Sequence, residues 1–208
     1  MVARSERYDR LAKLLDYPEK GCYADKLAEC IEVLEDGYGE AAELLHPLHD
    51  HVREMNAGEV QELYTRTFDI NACCTLEIGW HVYGEDYARG ALLVKLREQL
   101  RQVNVPESCE LPDHLTHVLR LMGRIEGDEA DELASHHLLP GLDKMLEGMD
   151  EGEQPYRALI EAISKVVRTD HDVEVVAPRE QRSDPPDSRS SLPVFGAQHC
   201  GVMGGRKP

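Results

Sequence analysis

The sequence predicts an all-α, single-domain bundle of about eight helices, and three observations carry that reading. Apolar residues recur at helical spacing as far as Arg168, and almost nothing in that stretch alternates with the period of a strand. The 208 residues hold only 2 Phe and 1 Trp, so the core must rest on Leu, Ile, Val and Ala, which suits packed helices. Glycine, proline and asparagine punctuate the pattern at helix-length intervals.

Ser5 is placed to cap a first helix whose face is Tyr8, Leu11, Leu14 and Leu15, ended by Tyr17-Pro18. A second, from about Tyr23 to Glu35, uses Leu27, Ile31 and Leu34 and stops at Asp36-Gly37. In the third, Ala41, Leu44, Leu45, Leu48, Val52 and Met55 form one stripe, with Asn56 and Gly58 ending it. A fourth carries Val60, Leu63, Tyr64 and Phe68 and stops near Asp69. Thr75 to Tyr83 reads as a short helix with Leu76 and Trp80 on one side and Glu77 and His81 on another. Gly84 turns the chain, and Asp86 caps a helix with Leu93, Leu96, Leu100 and Val103 inward. Gly90 inside it costs about 1 kcal/mol relative to Ala, which a close helix crossing would explain. Pro112 opens a helix with Leu115, Val118, Leu119, Met122 and Ile125 inward. Asp128 caps the next, with a kink expected at Pro140. Pro155 starts the last, with Leu159, Ile160, Ile163, Val166 and Val167 inside. Residues 1–169 are therefore read as the helical domain. Residues 170–208, rich in Pro, Ser, Arg and Gly, are read as a flexible tail unable to bury a core of their own.

Composition excludes several functions. A formal net charge of −17 argues against nucleic acid or an anionic membrane surface as partner, since both demand a basic face. No stretch approaches the ~18 apolar residues of a membrane span, and no signal-peptide pattern opens the chain, so the reading is cytoplasmic. The 6 cysteines form no CxxC and no compact framework, and read as reduced thiols. No GxSxG, P-loop, dinucleotide-binding or HExxH pattern is present, so no catalytic residue is assigned and the chain reads as a non-enzyme. The 10 histidines supply no paired-ligand set, and no metal site is assigned.

The site is expected around one break between two helices, Asn71 to Asp86, within the stretch from Gln61 to Gln102, where aromatic and buriable polar residues concentrate. Trp80 there suits either a core position or an aromatic anchor for a peptide. Asp113, pinned by Pro112 at a helix start, suits a cap favoured by the helix dipole. A competing reading makes the chain a metal- or thiol-based sensor using Cys73, Cys74 and His81.

The order Tyr64, Phe68-Asp69, Leu76-Glu77, Gly84-Glu85 and Arg89-Gly90 ahead of Leu96 resembles the signature segment of the NarJ-type nitrate reductase assembly chaperones, within the TorD-like family. Leu14-Leu15-Asp16-Tyr17-Pro18 and Leu111-Pro112-Asp113-His114-Leu115 agree with it, and the resemblance runs over roughly residues 5 to 167. It implies a chaperone of nitrate assimilation that binds the N-terminal segment of the catalytic subunit of a molybdenum oxidoreductase. The client is held for insertion of its bis-molybdopterin guanine dinucleotide before export or membrane docking; the chaperone itself keeps no cofactor. The implied client-peptide surface combines Tyr64, Phe68, Asp69, Glu77, Trp80, Tyr83, Glu85, Asp86, Tyr87, Arg89, Asp113 and His114. Aromatic residues would take the apolar side of an amphipathic client helix, the acids would meet its basic residues, and Arg89 would hold the acids in register.

Overall fold

The computed structural model describes residues 2–19, 23–149 and 154–176. Among them are ten α-helical stretches and no strand: α1 (Arg4–Leu14), α2 (Tyr23–Glu35), α3 (Gly39–Arg53), α4 (Ala57–Tyr64), α5 (Ile78–Tyr83), α6 (Tyr87–Gln102), α7 (Leu115–Met122), α8 (Asp128–Leu133), α9 (Leu139–Glu147) and α10 (Arg157–Asp170). The fold is all-helical, as the periodicity requires. α4 runs on into a π-turn, Thr65–Asp69, and a second π-turn, Ala134–Leu138, joins α8 to α9 in one rod. That second turn stands where a kink was expected. Pro140 has no N–H for the helical ladder, and a widened turn just before it absorbs the missing bond.

Neighbouring pairs run α1–α2–α3–α10–α9–α5–α6–α7 and return to α1, so the core is enclosed by a ring of helices. At its centre Tyr156, at the start of α10, is fully buried. Its ring lies edge-on to Phe68 at 4.9 Å, Tyr23 at 5.9 Å and Tyr64 at 6.0 Å. Two of these tyrosines also finish α1. The Tyr23 hydroxyl donates to the Leu14 carbonyl at 2.8 Å and the Tyr64 hydroxyl to the Leu15 carbonyl at 2.9 Å, satisfying acceptors a helix end leaves open.

Several local expectations are corrected. Asn56 begins α4 rather than ending α3: its side chain accepts from Gly58 N and Glu59 N, and Glu59 reaches back to the Asn56 N–H in a capping box. α1 starts on Ala3, without a side-chain cap from Ser5. Gly127, at φ +64°, rather than Asp128 precedes α8. In α6 the buried stripe is Leu92, Leu96, Gln99 and Leu100, with Leu92 in place of Leu93. Gly90 faces open space, so no helix crosses there. The close crossings fall at other glycines: a Cβ on Gly141 of α9 would lie 3.1 Å from Ile78 Cβ, and one on Gly148 would lie 2.9 Å from Cys73 Cβ and O.

The packed chain does not stop at Thr169. Arg7 Nη2 donates to both Asp170 carboxylate oxygens at 3.3 and 3.2 Å, and the Tyr38 hydroxyl bonds the same carboxylate. His171 is buried between Arg4 Nη2 at 2.7 Å and Asp131 Oδ1 at 2.5 Å. Val173 and Val175 pack on the core, and the Val176 N–H donates to the Ser135 carbonyl at 3.0 Å. The boundary drawn at residue 169 therefore moves to at least 176. Helical periodicity missed this segment because it is extended, held by the buried His171 side chain and by Val173 and Val175 on the core rather than by a helical stripe. Residues 177–208 of the expected tail lie outside the described residues.

Candidate functional site

The π-turn after α4 ends that helix with Tyr64, Phe68 and Asp69 on one wall of a cleft of about 540 Å³. The Tyr64 and Phe68 rings meet edge-on at 5.1 Å, and Tyr17, half exposed, stands against Tyr64 at 5.4 Å. Wide π-turns recur at functional sites because they re-aim side chains that a regular helix would carry elsewhere.

The facing wall comes from two loops clasped together. Glu77 and His114 form an isolated antiparallel bridge, flanked by Ile78 N to Asp113 O at 3.0 Å and Leu115 N to Leu76 O at 2.7 Å. Glu77 thus sits on extended backbone just before α5, not on a helix with His81, and Leu76 and Trp80 part company: Leu76 is buried and Trp80 is exposed. His114, rather than Asp113, caps α7, accepting from Thr116 N through its ring. Ser108, Cys109 and Glu110 from the preceding loop, with Asp16 and Arg120, complete the lining.

Four carboxylates therefore converge on an aromatic floor. Asp16 is neutralised by Arg120, whose Nη2 donates to both oxygens at 3.1 and 3.0 Å. Among the described residues no basic side chain pairs with Asp69, Glu77 or Glu110. His114 does not offset them either: burial first, and then His117, hold its ring down to about 4 against the pull of Glu110, Asp16 and Asp113, so it is neutral at pH 7. Burial, then the charges of Asp69, Asp16 and Glu110, push the Tyr64 phenol well above its usual value, so it remains a hydroxyl donor. The cleft is thus negative, aromatic and open, and it suits a cationic side chain on an apolar segment.

Of the twelve residues expected to act together, Tyr64, Phe68, Asp69, Glu77 and His114 line this cleft. The others do not. Asp113 is 0% exposed and paired with Arg89, so it cannot serve as a rim charge or face Trp80 across a groove. Trp80 lies over Arg89, and the Tyr83 hydroxyl meets His137 Nδ1 at 2.9 Å. Asp86 caps α6 by accepting from Ala88 N at 2.7 Å, with exposed Glu85 and Tyr87 beside it. Conversely, Asp16, Tyr17, Glu110 and Arg120 belong to the cleft, although sequence reasoning saw only the end of a helix in Asp16 and Tyr17 and assigned no role to Glu110 or Arg120. The one signal for Asp16 and Tyr17 was the motif Leu14-Leu15-Asp16-Tyr17-Pro18, whose polar and aromatic members follow a helix that has already ended; Glu110 and Arg120 carried none.

The sensor reading finds no shared geometry. The His81 ring donates from Nε2 to the Thr75 carbonyl at 2.7 Å, Cys74 is buried near Gly148, and Cys73 is exposed. No group of three or more His, Cys, Asp or Glu among the described residues is arranged to hold a metal ion. No described helix is long and apolar enough to cross a membrane.

No individual curated protein matches the chain in sequence. Residues 34–162, however, match the profile of the nitrate reductase delta subunit family, a span that takes in α3 to the first part of α10, most of the cleft and the clasp. With that match over more than half its length, the chain belongs to the nitrate reductase delta subunit family, the NarJ-type chaperones.

Proposed function

We propose that the protein is a cytoplasmic chaperone that seats the N-terminal segment of the catalytic subunit of a nitrate reductase-like molybdenum enzyme in the Tyr64–Glu77–His114 cleft. It does no chemistry of its own. By occupying that segment it keeps the apo-subunit open for insertion of bis-molybdopterin guanine dinucleotide and delays export or membrane docking. The observation that carries this reading is the set of three carboxylates, Asp69, Glu77 and Glu110, around an aromatic floor, with no basic partner among the described residues. Uncompensated charge of one sign beside exposed aromatic surface suits a partner of the opposite sign and mixed polarity. The half-exposed ring of Tyr17 is the anchor for the apolar side of the segment, and the carboxylates receive its Lys or Arg residues.

Calorimetric titration with the client's N-terminal peptide tests this. The triple variant Asp69→Asn, Glu77→Gln, Glu110→Gln should bind about tenfold more weakly, at about 0.5 kcal/mol for each screened charge. It should also lose most of the salt dependence seen with the natural chain. Tyr17→Ala should cost about 2 kcal/mol of binding while the helical signal stays intact. Unchanged affinity and an unchanged salt slope in the triple variant would remove this cleft from the account.

A further inference from the structure

A polar chain joins the cleft to the aromatic residue outside it. Trp80, the one tryptophan of the sequence, is 37% exposed, and the Arg89 guanidinium carbon lies 5.6 Å from its ring centroid. Arg89 Nε donates to Asp113 Oδ2 at 2.9 Å, and the Asp113 side chain is 0% exposed. Its other oxygen, Oδ1, has no hydrogen-bond partner among the described residues. Gly79 makes room for the pair, since a Cβ there would stand 2.5 Å from Asp113 Oδ2 and 3.4 Å from Arg89 Cγ. The Asp113 backbone carbonyl is in turn one of the two acceptors of the clasp that sets Glu77 and His114 in the cleft wall.

We propose that Arg89 is a positioning residue for the cleft: it supplies the counter-charge that allows Asp113 to be buried, and burial of Asp113 holds the 113–115 segment against 76–78. Trp80 covers the guanidinium and does not touch the client. The binding part of this proposal rests on the cleft being the client site; the positioning part does not.

The physical reason is the asymmetry of a buried ion pair. A carboxylate stranded without its partner in an apolar setting is strongly unfavourable, and it reaches water only if the surrounding backbone opens. Asp113 can do so only by parting the two loops. Arg89 is different. Its side chain is 19% exposed at the surface and long enough to swing into solvent once its partner has gone. The two single substitutions should therefore be unequal, and removing both charges should restore what removing Arg89 alone destroys.

The test uses the full chain and three variants, Arg89→Met, Asp113→Asn and the double variant, with Trp80→Phe beside them. Amide hydrogen exchange at Ile78 and Leu115 reads the clasp without any client, and calorimetry with the client's N-terminal peptide reads the cleft. Arg89→Met should speed exchange at those two amides by about tenfold or more relative to the slow amides of α10, and weaken the peptide by about tenfold. Asp113→Asn should change both by about threefold or less, and the double variant should return both to within about threefold of the natural chain. Trp80→Phe should leave peptide affinity within about twofold, whereas an anchoring tryptophan would cost about thirtyfold.

Unchanged exchange in Arg89→Met overturns the proposal. So does a double variant that exchanges normally yet still binds as weakly as Arg89→Met, because Arg89 would then be touching the peptide itself. Should Arg89→Met fail to fold, a folded double variant is the same rescue and supports the proposal, and an unfolded one overturns it. If the natural chain binds no peptide, the proposed client site falls while the exchange pattern still decides the role of Arg89.

Discussion

Replacing Asp170 by Ala tests whether the end of α10 is a structural keystone or the start of a dispensable tail. Its carboxylate takes two bonds from Arg7 and one from the Tyr38 hydroxyl, and the paired Arg7 and Asp170 side chains are each only 9% exposed. Arg7 also lies 4.1 Å from the Tyr38 ring centroid, so the ion pair, the ring and three helix ends share one site. Removing the acid strands a buried guanidinium, which typically costs about 3–5 kcal/mol. The lost Tyr38 bond adds about 1 kcal/mol. Arg7 offsets part of this by turning its tip toward solvent, which places the expected loss near 3–4 kcal/mol, a large share of the roughly 5–15 kcal/mol that holds a domain together. Urea unfolding followed by circular dichroism gives the number. Arg7→Met with Asp170→Ala should recover most of the loss, since an apolar pair in place of a buried ion pair is close to neutral. A chain ending at Thr169 should behave like Asp170→Ala or worse, losing also His171 and the valines beyond it, whereas a chain ending at Val176 keeps these contacts. Equal stability for the chains ending at 169 and at 176 would refute the reasoning and return the boundary to Thr169.

Acid should weaken the fold well above the range where most carboxylates protonate. Burial holds His114 and His137 each down to about 4 from an ordinary 6.5, and burial lowers His81 as well. The unfolded chain takes up these protons first, so stability falls from about pH 6.5 toward pH 4, by up to about 3 kcal/mol for each of the two deeply shifted rings. Urea midpoints across that window measure it; His137→Gln should flatten the slope, and an unaltered slope contradicts the assignment. The glycines should divide by their surroundings. Gly90→Ala adds a methyl to open space in a helix and should stabilise by about 1 kcal/mol, while Gly148→Ala drives a methyl into the Cys73 backbone and should destabilise by about 1–3 kcal/mol. Thermal melts of the two variants that shift the same way would contradict the packing described for both.

The sequence by itself determined the helices and their inward faces. Spacing of Leu, Ile and Val is a local property, and it placed Leu159, Ile160, Ile163, Val166 and Val167 inside exactly because one helix face must leave water. The same local logic found Gly84 as a stop and Asp86 as a cap. It also put Tyr64 and Phe68 on one face of a helix that stops near Asp69, while their place in a binding surface came from the family resemblance. Tertiary structure alone decided what stands opposite that edge. Asp16 and Arg120 are 104 positions apart and meet only because α1 packs on α7, and no periodicity encodes that contact. Charge is ambiguous in sequence for the same reason. Asp69, Asp113 and Asp170 are one residue type, yet the first is exposed at the cleft, the second is buried under Arg89, and the third ties α10 to α1 and Tyr38. Whether a carboxylate recruits a partner or locks the fold depends on how near a guanidinium is brought and how much water is left around it. Those two quantities arise only when helices far apart in the chain are packed together.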